Sequence, residues 1–120
     1  MIGIVDGQLR ALIEVSISPT KTGSHEMVEV WIDTAFNGGL VMPRDMVQKL
    51  GLKSASSTDA VLADGQLVEL ETFSCYLEWF GHKYRTQVVA NDGQIPLLGT
   101  MLLSNRRLLI DYATKLVTLD

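Results

Sequence analysis

Asp33 is the residue of this chain that best combines a reactive group with a distinctive setting. It ends the apolar run of Val28, Val30, Trp31 and Ile32. Thr34, Ala35 and Phe36 follow it, and then a run of small residues, Asn37-Gly38-Gly39, in "IDTAFNGGLVMP". Carboxylates often cap the turn after a strand, which is one reading of Asp33. The other starts from burial on the approach: an unpaired buried carboxylate is costly and seeks a partner or a proton. No residue near Asp33 in sequence is an obvious partner. The Asp33 of a second copy would serve, because two carboxylates meeting across a two-fold axis can share one proton. Small residues after Asp33 would let two such turns approach closely.

Other chemistries find less support. His25 and His82 both fall in expected turns, and no Cys/His cluster has metal-ligand spacing, so no metal site is expected. A serine nucleophile lacks the G-x-S-x-G turn. Cys75 and His82 share one expected hairpin. A two-residue turn at Gly81-His82 would pair Phe80 with Lys83 and Cys75 with Val88, which leaves the thiol about 17 Å from the imidazole at strand rise. Cys75 shares a phase with Phe73 and Leu77 and reads as a core thiol. No glycine-rich loop precedes a helix, so no nucleotide or other cofactor is expected.

Composition narrows the field further. A chain of 120 residues suits one domain, residues 1–120, with one modest core. A net charge of −4 disfavours nucleic acid, which needs clustered Lys and Arg, and Arg106-Arg107 is the only adjacent basic pair. One cysteine allows no internal disulfide, and "MIGIVDGQLR" shows no secretory leader. No apolar run approaches membrane-spanning length. These features together point to a cytoplasmic protein.

Many short strands must position Asp33. Leu9, Ala11, Ile13, Val15 and Ile17 alternate as a half-buried strand, and Val28, Val30 and Ile32 make a second that runs into Asp33. Pro43 sits where a first helical residue belongs and Gly51 where a C-terminal cap belongs, with the short helix "RDMVQKL" between them, and "SASSTD" is a polar connector. Asp64-Gly65 marks a hairpin over about residues 61–73. The apolar phase reverses near Glu71-Thr72, so the chain must bend, bulge or switch sheets there. "LLGTMLLSN" reads as a strand end plus a helical turn, and "RLLIDY" with "KLVTL" as a last hairpin. "VWIDTA" and "IPLLGT" echo one another, as two turns of a pseudo-symmetric barrel would. The expected class is an all-β barrel or sandwich with one or two short helices.

With these elements in place, the sequence resembles the retropepsin-like (clan AA) aspartic proteases, and among them the small prokaryotic branch. The resemblance rests on Ile32-Asp33-Thr34-Ala35 and its Phe36-Asn37-Gly38 continuation. It also rests on the "MP…LGL" helix, the hairpin around "LADGQ", Leu97-Leu98-Gly99 and the closing "LLIDYATKLVTL". It spans about residues 9–119. It implies a closed barrel with a flap hairpin, active as a homodimer that cleaves peptide or protein substrates. Asp33 would be catalytic, with Thr34, Ala35, Asn37 and Gly38 supporting the active-site loop. Leu62, Ala63, Asp64 and Gly65 would form the flap over the substrate, and Leu97, Leu98 and Gly99 a structural loop. Ala35 departs from the family's usual glycine, and its methyl borders the implied substrate path. Two further readings stand beside the protease: a weak or inactive peptide-binding or dimerising module of the same fold, and an unrelated barrel in which Asp33 only caps a turn.

Overall fold

Alternating apolar residues over 11–18 and 26–32 form two paired strands, and the rest of the barrel is laid out around them. The computed structural model describes residues 1–55, 58–61 and 64–120, and of residues 58–61, 68 and 69 the backbone alone. In chain order come β1 (Ile2–Val5), β2 (Ala11–Ser18), β3 (Glu26–Ile32) and β4 (Leu40–Pro43), then helix α1 (Arg44–Leu50). The middle of the chain gives β5 (Lys53–Ser54), β6 (Thr58–Val61), β7 (Leu67–Leu70), β8 (Thr72–Trp79) and β9 (His82–Asn91). Last are β10 (Leu97–Leu98), a 3-10 turn (Thr100–Leu103), β11 (Leu108–Asp111) and β12 (Leu116–Leu119).

Ten strands make one sheet, in the order β11-β12-β1-β2-β3-β10-β4-β9-β8-β5, and β2 pairs with β8 as well. That second pairing closes β2, β3, β10, β4, β9 and β8 into a ring, so the sheet is a small barrel. β11, β12 and β1 project from β2 as a flange. Inside the ring Ile13, Val15, Ile17, Val30, Leu40, Met42, Leu77, Val88 and Leu98 form one buried cluster. Each such side chain contributes about 1.5–3 kcal/mol by leaving water. Cys75 belongs to the same cluster, and burial pushes its thiol up to about 12, so it stays protonated and inert.

β6 and β7 form a separate two-stranded hairpin. Its arms run from 58 to 61 and from 67 to 70, with Val61 opposite Leu67, earlier than the expected 61–73. Asp64-Gly65 lies in the turn as expected, with Gly65 at φ 86° and the Gln66 amide donating to Asp64 Oδ1 at 3.0 Å. Leu62 and Ala63 lie outside the described residues. The phase reversal at Glu71 is a change of sheet: β7 pairs with β6, whereas β8 pairs with β9, β5 and β2. "SASSTD" is not wholly a connector, because Ser54 pairs with Phe73 and Thr58-Asp59 begin β6.

Three other local readings need correction. The β8–β9 turn is Phe80-Gly81 rather than Gly81-His82, so Trp79 pairs with His82 and Cys75 with Thr86. Both turn residues have positive φ (51° and 84°), the backbone of a type I′ hairpin. Leu9 is not in a strand; it sits exposed at φ 63°, in a turn where Asp6 Oδ1 accepts the Gln8 and Arg10 amides. The helix matches its expected span, with Val47 buried and Gly51 closing it in the left-handed conformation. Pro43 ends β4 one residue before the helix instead of opening it.

Candidate active site

Asp33 stands where three strands meet. β10 runs parallel to β3, pairing Leu97 with Trp31 and Leu98 with Ile32. It runs antiparallel to β4, pairing Leu97 with Val41 and Leu98 with Leu40. β3 and β4 follow one another in the chain but are separated in space by a strand that arrives much later. The chain from 33 to 39 must therefore loop around the end of β10. The echo between "VWIDTA" and "IPLLGT" has a spatial meaning here: the two segments lie side by side, with Gly99 following β10 as Asp33 follows β3.

Backbone hydrogen bonds stitch the loop to its neighbour. The Asp33 amide donates to the Leu98 carbonyl at 2.9 Å, and the Gly99 amide to the Gly39 carbonyl at 2.7 Å. Thr100 donates to Phe36 at 2.8 Å and Met101 to Gly38 at 3.2 Å. Space is as tight as the bonding. A β-carbon on Gly99 would collide with the Gly38 carbonyl oxygen and lie 2.7 Å from that of Phe36; one on Gly38 would collide with the Phe36 ring. Gly99 has φ −96°, so it is needed for room, not for an unusual backbone.

The carboxylate itself is half-buried. Its Oδ1 accepts the Ala35 amide at 3.0 Å, and among the described residues the group makes no other side-chain hydrogen bond or ion pair. Turn capping is thus part of what Asp33 does, and its second oxygen is left for another partner. Thr34, Ala35 and Asn37 are exposed, and neither Thr34 nor Asn37 makes a side-chain hydrogen bond among the described residues. Ala35 has no positive φ, so the loop's backbone accommodates its β-carbon. The structure thus brings Asp33, Thr34, Ala35, Gly38, Leu97, Leu98 and Gly99 to one crossing. Sequence reasoning about the site left out Gly39 and Thr100, which carry two of the stitching bonds, and Phe36, whose ring fills the space that both glycines leave. A large apolar residue amid small ones was the available signal.

The ion pairs among the described residues do not involve Asp33. Arg10 pairs with Asp6 at 2.7 Å and lies over the Trp31 ring, 5.8 Å from its centre. Arg44 pairs with Glu71 at 2.7 Å, at the foot of the β6–β7 hairpin. No group of three or more His, Cys, Asp or Glu able to hold a metal occurs among the described residues.

The closed barrel, with a late strand inserted between β3 and β4 and Asp33 at that crossing, has a retropepsin-like fold. Two solved structures show the likeness. A retropepsin-like aspartic protease from Rickettsia conorii superposes with a TM-score of 0.64 at 16% identity, over 99% of this chain and 88% of that one. EIAV protease, complexed with the inhibitor HBY-793, gives a TM-score of 0.56 at 17% identity, over 83% of this chain and 90% of that one. At such identities the likeness is one of fold. No protein-family model matches the sequence, and no curated protein matches it.

Proposed function

We propose that residues 1–120 form a single-domain aspartic endopeptidase that works as a homodimer in the cytoplasm, each chain giving one Asp33 to a shared site. The observation that carries this reading is the Asp33 carboxylate at the strand crossing, with one oxygen capped by its own loop and no second partner among the described residues of its own chain. Two such groups across an axis would hold a water between them. One, ionised, would take its proton as the water attacks the peptide carbonyl, while the other, protonated, would polarise that carbonyl. Thr34 would join the two loops through its hydroxyl. The β6–β7 hairpin would serve as a flap, adding backbone hydrogen bonds to an extended peptide as a further strand would.

Surface chemistry supports a partner copy. Ile2 (74% exposed), Ile4 (54%), Leu109 (60%) and Leu116 (44%) share the outer face of the flange. The register makes them neighbours: Ile4 opposes Leu116, while Ile2 and Leu109 both oppose Thr118. Four exposed apolar side chains grouped around Thr118 suit an interaction surface. Ala35 favours a second reading, in which its methyl crowds the groove and the fold binds peptides or dimerises without cleaving them. Incubation with a peptide library at several pH values, wild type beside Asp33→Asn, decides between the two. Cleavage by the wild type that the Asp33→Asn substitution abolishes, in a dimer that stays folded by sedimentation, is the expected result. Full cleavage by the variant would remove Asp33 from the chemistry, and no cleavage by either would favour the binding module.

A further inference from the structure

The barrel carries a second polar cleft, away from Asp33, whose composition is unusual for this chain. It has a volume of about 360 Å3 and is lined by Thr20, Lys21, Lys53, Ser74, Tyr76 and Arg85, along with Pro19. Three strands and one loop converge to build it. Lys53 of β5 opposes Ser74 of β8, Tyr76 of β8 opposes Arg85 of β9, and Ser18 at the end of β2 also opposes Tyr76. That last pairing brings the β2–β3 loop to the cleft. Lys83 fixes the loop there, its Nζ donating to the Lys21 carbonyl at 2.8 Å.

Lys21, Lys53, Lys83 and Arg85 are four of only ten Lys and Arg in a chain whose net charge is −4. The ion pairs among the described residues involve Arg10 and Arg44, so the three cations lining the cleft have no carboxylate partner there. Glu78, opposite Lys83 in the register, is not among the lining residues. Three like charges around one cleft repel, and an anion between them adds an attraction to each of the three that offsets this repulsion. Thr20, Ser74 and Tyr76 add hydroxyl donors of the kind that oxyanions accept, and the Arg85 guanidinium suits two oxygens of one phosphate.

We propose that this cleft binds a phosphate group, carried by a small phosphorylated molecule: the phosphate sits between Arg85, Lys53 and Lys21, and the rest of the 360 Å3 holds the organic part. A volume of this size falls in the range of small-molecule sites. None of the residues lining the cleft belongs to the Asp33 crossing, and its β2–β3 loop lies at the other end of the seven-residue β3 from Asp33, about 20 Å along that strand. Its place gives binding a structural consequence. Lys53 lies on the strand that leads toward the β6–β7 hairpin, and Ser74 on the strand that leaves it. The β5–β8 ladder already joins the hairpin's two roots at this pair, and a phosphate bridging Lys53 and Ser74 adds a side-chain link to it.

The test is a titration of the uniformly labelled protein followed by amide chemical shifts, at constant ionic strength set with chloride. Inorganic phosphate and glycerol 3-phosphate are the two probes. Saturable shifts confined to residues 18–21, 53–54, 74–76 and 85 are expected with both. Tighter binding of glycerol 3-phosphate identifies a phosphomonoester as the ligand, and equal binding identifies free phosphate. Arg85→Gln and Lys53→Gln should each weaken binding by tenfold or more; both residues are exposed, so the variants keep the wild-type spectrum elsewhere. Shifts that do not saturate, or that chloride alone reproduces, overturn the proposal. So does binding that survives the Arg85→Gln, Lys53→Gln double variant.

Discussion

Gly99→Ala is the substitution with the sharpest consequence for the Asp33 crossing. The added β-carbon would collide with the Gly38 carbonyl oxygen and lie 2.5 Å from Phe36 Cδ2 and 2.7 Å from the Phe36 carbonyl oxygen. Two of these three atoms belong to backbone, so no side-chain rotation relieves them. The 97–101 segment must move away from the 36–39 loop, and the bonds at stake are Gly99 to Gly39, Thr100 to Phe36 and Met101 to Gly38. Overpacking costs about 1–3 kcal/mol. Losing one of the three hydrogen bonds adds about 1 kcal/mol. The expected destabilisation is therefore about 2–4 kcal/mol, a large share of the roughly 5–15 kcal/mol typical of a domain. Urea unfolding followed by tryptophan fluorescence measures it, with Gly7→Ala as control, since a β-carbon at Gly7 meets nothing within 4 Å. The control should stay within about 0.5 kcal/mol of wild type. A Gly99→Ala midpoint indistinguishable from that of the control would refute the claim that this crossing is held by close backbone contact.

Three other outcomes are expected. Ala35→Gly should leave peptide cleavage unchanged or raise it, with a loss of up to about 1 kcal/mol in stability from glycine's freedom in the unfolded chain; a sharp fall in cleavage would mean that the methyl packs the site. Ile4→Glu puts a charge in the exposed apolar patch, so it should shift sedimentation toward monomer while leaving the monomer's circular dichroism intact; an undiminished dimer would place the interface elsewhere. The backbone amides of Thr114 and Ala113 hold the Asp111 carboxyl below the usual carboxylate range. Its contribution to stability is therefore present above the unfolded value of about 4 and is lost as pH falls below it. Asp111→Asn should flatten that part of the acid limb in thermal unfolding, and an unchanged limb would show that those amides do not tune the group.

What the sequence made legible follows from how local the determinants are. The span of α1 was readable because Gly51 closes it within one turn, while Pro43, expected as its first residue, ends β4 just before it. The hairpin around Asp64-Gly65 was readable in kind, and its bounds shifted because the change of sheet at Glu71 ends β7 sooner than the β-prone sequence does. The turn at Phe80-Gly81 was misplaced by one residue. Phenylalanine at φ 51° gives no local signal; its ring lies under the Arg106 guanidinium at 3.6 Å and edge-on to Trp79 at 5.0 Å, contacts that only the tertiary fold supplies. At the crossing, Asp33 was legible from its residue type and setting. The stitching bonds were not, since β10 is only two residues long and meets β3 and β4 from far along the chain. The cleft of Lys21, Lys53 and Arg85 was invisible for the same reason: its cations are scattered in sequence and meet only through sheet register.

The insertion of β10 between β3 and β4 also fixes an order of events during synthesis. A chain that has left the ribosome only as far as β9 has β3, Asp33 and β4 in hand, yet the central strand that they both pair with is still missing. Neither Leu98, which accepts the Asp33 amide, nor Gly99, which donates to Gly39, has yet been added. At synthesis rates of about 5–20 residues per second, local hairpins such as β2–β3 and β8–β9 have ample time to form before β10 emerges. The turn that carries Asp33 must wait for it. Newly made chains thereby lack a complete Asp33 crossing until most of the barrel has been translated.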